Sequence, residues 1–172
     1  MTRISDEHSI VGVDPTPRGL AFVFFESGEL LDWGTRRIDG GELAVLERLL
    51  GGFNADVLVL EDPDAGGSER RPRMRVLLRR LADDARSRGI TVVMVGRRDV
   101  RETYAKLGLT RKHSVAAEIA ARFPEVEPLV PRTRKVYRSE EARAEIFDAI
   151  SLVLHAFPIE AGKDEAEGRT AA

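Results

Sequence analysis

Short apolar runs alternate with charged stretches along the chain, and their lengths and periods separate strands from helices. Residues 9–13 form a β-branched run of strand length, and residues 20–26, rich in Phe and Val, form a second. Residues 30–38 make a third, joined to the second by Glu26-Ser27-Gly28-Glu29, a sequence suited to a tight hairpin. The connection 14–19 is equally short, so these three strands read as an antiparallel meander. Residues 42–50 carry apolar positions at helical spacing and run into Gly51-Gly52, a helix stop. Residues 57–60 predict a fourth strand. Residues 72–88 predict an amphipathic helix with Val76, Leu77, Leu81 and Ala85 inward and arginines outward, ended by Gly89. Residues 91–95 are a continuous apolar run, the pattern of a strand buried on both faces. Helices follow over 98–107 and 111–123, separated by Gly108, then a Pro-bearing loop at 124–131. The last helix runs from a Ser139 N-cap to about residue 156, and Pro158 stops it.

This order predicts an α/β protein. Its sheet is mixed and five-stranded, three antiparallel strands then two parallel, with helices on both faces. The arrangement resembles the ribonuclease H-like fold. A dinucleotide-binding fold would instead open on strand–helix–strand with a glycine-rich turn.

Composition narrows the class. A chain of 172 residues suits one domain with a full core, expected over 1–160, with a polar tail at 161–172 expected to be disordered. The absence of cysteine excludes disulfides, zinc–thiolate sites and thiol nucleophiles. No apolar run approaches the roughly 20 residues that span a bilayer. The polar N-terminus lacks a signal-peptide core, so a cytoplasmic location is expected. The net charge of −2 hides an asymmetry: residues 66–113 hold 14 Lys and Arg against 5 Asp and Glu, a local net of +9. Such a block is suited either to a phosphate backbone or to solvating a helix face.

Four acidic residues carry the candidate chemistry. Asp14 ends the first apolar run and Glu61 ends the fourth. Parallel pairing of those strands would bring the two together at matching carboxyl ends. Because side chains alternate along a strand, only one of Glu61 and Asp62 can face a given site; Glu61 is preferred and Asp62 held in reserve. In the last helix Ala142, Ile146, Ala149, Ile150 and Val153 form an apolar stripe, and Glu141, Glu145 and Asp148 line one border of it. Glu145 and Asp148, at i and i+3, repel one another unless a cation lies between them. An oxygen-only donor set favours Mg2+ or Mn2+ over zinc. Four carboxylates can hold two ions about 4 Å apart, one activating water and the other stabilising the leaving oxygen of a phosphodiester displacement.

At these residues the chain resembles the RuvC-type Holliday-junction resolvases and their relatives. The likeness lies in IVGVDPTPRGLAFVFF, VLVLEDP, DVRETYAKLGLTRKHSVAAEIAARFP and EIFDAISLVLHAF, which span most of residues 9–157. It implies Asp14, Glu61, Glu145 and Asp148 as metal-binding, catalytic residues. It also implies Lys112, beside Arg111 at a helix start, as a phosphate contact. The chain departs from the family in Pro15-Thr16-Pro17-Arg18, where Gly or Ser is usual, and in Glu145, where Asp or His is more common. The basic cluster Arg132, Arg134, Lys135, Tyr137 and Arg138, just before the last helix, is expected at the cleft entrance as a substrate contact. The reading is a Mg2+-dependent endonuclease of branched DNA, acting as a twofold homodimer. Its alternatives are a structured-RNA nuclease of YqgF type and a non-catalytic nucleic-acid-binding module. An actin-like kinase is excluded, because its two domains need more than 172 residues. His113 and His155 are expected at the surface and Trp33 in the core; Tyr104 is a candidate stacking residue. Arg70, Arg71, Arg73 and Arg75 belong either to a nucleic-acid contact or to a solubilising surface.

Overall fold

The three apolar runs at the N-terminus and the two that follow assemble into one sheet in the computed structural model, which describes residues 8–17, 19–38, 41–66, 68–131 and 143–158. Strand β1 (Ser9–Thr16) pairs antiparallel with β2 (Gly19–Glu26), and β2 with β3 (Glu29–Arg37). The β2–β3 turn is made by Ser27 and Gly28, both at positive φ, as a tight hairpin requires. Helix α1 (Glu42–Gly52) leads to β4 (Val57–Glu61), which lies parallel to β1. Helix α2 (Pro72–Ser87) then leads to β5 (Thr91–Val95), parallel to β4. The sheet order is β3-β2-β1-β4-β5, so β1 is central and β4 is its parallel neighbour. Helices α3 (Arg97–Lys106), α4 (Lys112–Arg122) and α5 (Ala144–Ala156) complete the chain.

Side-chain alternation divides the core between the two faces. Ile10, Val57 and Val59 pack with α3, α4 and α5; Val11, Val13, Leu58 and Leu60 pack with α1 and α2. Helix α5 is buried well beyond a single stripe, with Ile146, Phe147, Ala149, Ile150, Leu152, Val153 and Leu154 all in the core. Such a helix belongs across the middle of a sheet rather than at its rim. Gly12 makes the close approach possible: a Cβ there would stand 2.4 Å from Val153 Cγ2 and 3.2 Å from the Ala149 carbonyl oxygen.

Several sequence expectations need correction. Val76 is 51% exposed; the inward face of α2 is Leu77, Leu78, Leu81, Ala82 and Ala85. Helical spacing allowed either stripe, and docking on the sheet selected the second. Strand β5 is an edge strand covered on both faces only in part: Val93 packs partly buried on the α5 side, and Val92 and Met94 partly buried on the α1–α2 side. Helix α1, by contrast, stops where expected, at Gly51-Gly52, with Phe53 as its C-cap. Part of the Pro-bearing loop is a 3-10 helix, Pro124–Leu129. The Ser139 cap, Glu141 and Ala142 lie outside the described residues, as does the tail expected at 161–172. No helix among the described residues is long and apolar enough to cross a membrane.

Candidate carboxylate centre

The register of β1 on β4 pairs Val13 with Leu60, so Asp14 and Glu61 follow side by side at the carboxyl ends of adjacent strands. Both belong to the face that packs under α5. They are almost fully enclosed, Asp14 at 3% and Glu61 at 0% exposure. Asp62 points elsewhere: its Oδ1 accepts from the Asp64 N–H at 2.8 Å, forming a turn. Helix α5, seated through Gly12, brings Asp148 to the same corner.

Buried carboxylates need opposite charge. Two arginines supply it. Arg97, the first residue of α3, donates from Nε to Glu61 Oε2 at 2.9 Å and from Nη2 to Asp14 Oδ1 at 3.1 Å. Its Nη1 lies 3.4 Å from Asp148 Oδ2, so one guanidinium meets three acids from three elements. Arg70, from the segment between β4 and α2, donates from Nε to Glu61 Oε2 at 2.8 Å and from Nη2 to Asp14 Oδ1. Its Nη1 donates to the Pro15 carbonyl at 3.2 Å. Lys112 Nζ, on a side chain that is 60% exposed, lies 3.6 Å from Asp148 Oδ2. Glu145 is half-buried, one helical turn before Asp148.

The electrostatics follow from this enclosure. The Asp14 carboxyl is raised to about 6, chiefly by burial, with Arg70 and Arg97 pulling down and Asp148 and Glu61 adding to the rise. Burial also opposes the Arg97 charge, but Asp14, Asp148 and Glu61 outweigh it and hold the guanidinium protonated beyond its ordinary range. Glu61 Oε1 is buried with no hydrogen-bond partner among the described residues.

Among the described residues no three acidic or histidine side chains form a ready-made metal cage. The acids are spaced by guanidinium groups instead. The donor set still fits a hard divalent cation. It is anionic, all-oxygen and aimed at a point that already attracts positive charge, and it includes one buried oxygen left unpaired.

A groove of about 490 Å3 adjoins Asp148, between α3, α4 and α5. Val100, Val115 and Phe147 give it apolar walls, and Arg101, Arg111 and Lys112 line it with positive charge. Tyr104 also lines it but is itself buried, which pushes its phenol up to about 12. His113 Nδ1 bonds the Pro131 carbonyl at 2.6 Å, and His155 Nδ1 bonds the Thr103 hydroxyl at 3.0 Å. Trp33 is partly buried against the α5-side core. Arg132, Arg134, Lys135, Tyr137 and Arg138 lie outside the described residues.

No family model and no curated protein matches the sequence. Solved structures do match the fold. Thermus thermophilus RuvC aligns with a TM-score of 0.56 at 16% identity, over 86% of this chain and 92% of that one. T. thermophilus RuvC in complex with a Holliday junction substrate aligns at 0.55 and 16%, over 87% and 92%. The yeast mitochondrial Holliday junction resolvase Ydc2 aligns at 0.58 and 11%, over 90% and 79%. The chain has a RuvC-like fold.

On this RuvC-like scaffold Arg97 is what sequence reasoning missed, and Arg70, expected as a nucleic-acid contact or a solubilising surface residue, instead pairs with Asp14 and Glu61. Arg97 had a usable signal. It directly follows Val95-Gly96, and β5 runs parallel to β4 with Val95 opposite Glu61, so the residue after β5 must emerge at the acidic edge. Arg70 had none, since only the completed fold brings it back to Glu61, nine residues earlier.

Proposed function

We propose that this chain is a metal-dependent endonuclease that hydrolyses phosphodiester bonds in branched DNA, in the manner of a Holliday-junction resolvase. The supporting observation is the convergence of Asp14, Glu61 and Asp148, from β1, β4 and α5, on the single guanidinium of Arg97. Glu145 completes the proposed ligand set. Mg2+ or Mn2+ held by these carboxylates, two ions in the full arrangement, would supply an activated water and charge neutralisation for in-line displacement. The chain's own residues do the rest. Asp14 and Glu61 sit on paired strands, whose rigidity fixes their oxygens. Lys112, beside Asp148 and open to solvent, holds the substrate phosphate, and Arg111 and Arg101 extend the positive track along the groove. Arg134, Lys135 and Arg138 add substrate contacts from the segment before α5. A four-way junction has two scissile strands related by a twofold axis, so the working form is a homodimer with two centres.

The guanidinium groups inside the centre favour a second reading, a nucleic-acid-binding module that keeps the fold without hydrolysis. In that case arginine is the permanent counter-ion of the acids. One experiment separates the two. Labelled four-way junctions, linear duplex, an RNA/DNA hybrid and an RNA version of the junction are incubated with the protein in Mg2+. Cutting of the DNA junction in preference to the others, lost in Asp14→Asn, is the expected result. Preferential cutting of the RNA junction moves the substrate to structured RNA. Binding without cutting of any substrate, at ample protein, leaves the module.

A further inference from the structure

Arg70 and Arg97 share the same two acceptor atoms. Asp14 Oδ1 takes a hydrogen bond from Nη2 of each, and Glu61 Oε2 takes one from Nε of each. A divalent cation held between β1 and β4 by these same two oxygens would stand about 2.0–2.1 Å from them in the case of Mg2+. Each of these oxygens has two in-plane lone pairs, and two guanidinium groups already take them, so a cation that coordinates at these atoms requires one arginine to yield.

The two are not held alike. Arg97 opens α3, where Val100 N–H donates to the Gly96 carbonyl at 3.2 Å, and its guanidinium meets a third acid, Asp148. Arg70 lies outside helix and strand, between Asp62, whose N–H donates to the Val95 carbonyl, and Arg71, whose carbonyl accepts from Met74 and Arg75 at the start of α2. Its remaining partner is the Pro15 carbonyl, a neutral acceptor, whereas both side chains are equally exposed at 21%, so anchoring rather than solvent access separates the two. Losing Arg70 would also leave Asp14 and Glu61 still bonded by Arg97.

We propose that Arg70 is an exchangeable counter-ion: it neutralises Asp14 and Glu61 in the metal-free protein and is displaced when a divalent cation binds, while Arg97 stays. This rests on the metal-centre reading above. It differs from the module reading in making one of the two arginines a competitor of the metal rather than its permanent replacement.

The test uses Mn2+ alone as ligand, followed by calorimetry on the full chain. The proteins are wild type, Arg70→Met (similar length without the charge), Arg71→Met as a neighbouring control, and Asp14→Asn. Arg70→Met is expected to bind Mn2+ at least tenfold more tightly than wild type, with Arg71→Met unchanged and Asp14→Asn weakened. A second readout needs no variant. Trypsin cleavage of the wild-type Arg70–Arg71 bond, followed by mass spectrometry, should accelerate in Mn2+, because the released guanidinium becomes available to the protease. Equal or weaker Mn2+ binding by Arg70→Met, with wild type still binding, overturns the exchange and leaves the metal centre standing. Should Arg70→Met fail to fold, unchanged nicking at saturating Mn2+ overturns it instead. No Mn2+ binding by any of the proteins at millimolar metal removes the metal centre and the exchange with it.

Discussion

Replacing Gly12 with alanine inserts one methyl group between β1 and α5. The new Cβ would lie 2.4 Å from Val153 Cγ2, 2.9 Å from Val23 Cγ2 and 3.2 Å from the Ala149 carbonyl oxygen. Carbon atoms in good contact stand about 3.5–4.0 Å apart. Rotating Val153 off its rotamer, at about 0.5–1.5 kcal/mol, relieves the first contact but not the backbone oxygen. The helix must therefore back away from the sheet by roughly 1 Å, as an overpacked core does at about 1–3 kcal/mol. We expect the upper half of that range, about 2–3 kcal/mol, which for a chain of this size lowers Tm by about 5–10 °C. The same withdrawal carries Asp148 away from Arg97, now 3.4 Å off, and from Asp14. A misplacement of about 1 Å at a catalytic group costs on the order of 100-fold in rate. Urea unfolding of wild type, Gly12→Ala, Val153→Ala and the double variant measures the packing term, and junction cleavage measures the functional one. Val153→Ala should cost clearly less in the Gly12→Ala background than in the wild-type background, with a coupling of at least about 1 kcal/mol. A Gly12→Ala protein within about 0.5 kcal/mol of wild type, or strict additivity in the cycle, would refute this account of how α5 is seated.

Arg97→Met removes one partner from each of three acids while Arg70 stays on Asp14 and Glu61 and Lys112 beside Asp148. In chelator it should therefore destabilise the chain by about 3 kcal/mol by chemical denaturation, the low end for breaking a buried pair; added Mn2+ should recover part of that loss. Lys112→Ala should leave the unfolding curve unchanged, weaken junction binding, and reduce the slope of log affinity against log salt by about 1, as loss of one phosphate contact does. Tyr104, raised to about 12 by burial, favours the fold below its unfolded value near 10 and loses that contribution as pH rises through about 12. At about pH 11, between those two values, its phenol should be neutral in the native protein and ionised in denaturant. Tyr104→Phe should therefore change the alkaline tyrosine absorbance of the unfolded chain and not that of the native one.

What was legible in the sequence is what local pattern controls. Strand period showed that only one of Glu61 and Asp62 can face a given site, because Val57, Val59 and Glu61 share a face; Glu61 lies beside Asp14, and Asp62 turns away. The hairpin at Ser27-Gly28 followed from turn chemistry. Val76 was misplaced because two adjacent stripes on α2 satisfy helical spacing equally, and only the sheet decides between them. Strand β5 was misjudged because an apolar run does not reveal whether a further strand lies beyond it. The place of the arginines in the centre, Arg97 unnoticed and Arg70 assigned to the surface or to nucleic acid, escaped for a different reason. Clustered acids were read as needing a metal, while the chain carries guanidinium groups at residues 70 and 97, nine and 36 positions from Glu61, whose approach depends on the completed fold.

The central claim is that Asp14, Glu61, Glu145 and Asp148 form a divalent-cation centre. Crystals soaked in Mn2+ and measured for anomalous scattering test it directly. The account predicts a peak between β1, β4 and α5 within about 2.2 Å of Asp14 and Glu61 oxygens, with the Arg70 side chain withdrawn. Full Mn2+ exposure with no peak there, and both guanidinium groups still bridging Asp14 and Glu61, would contradict it.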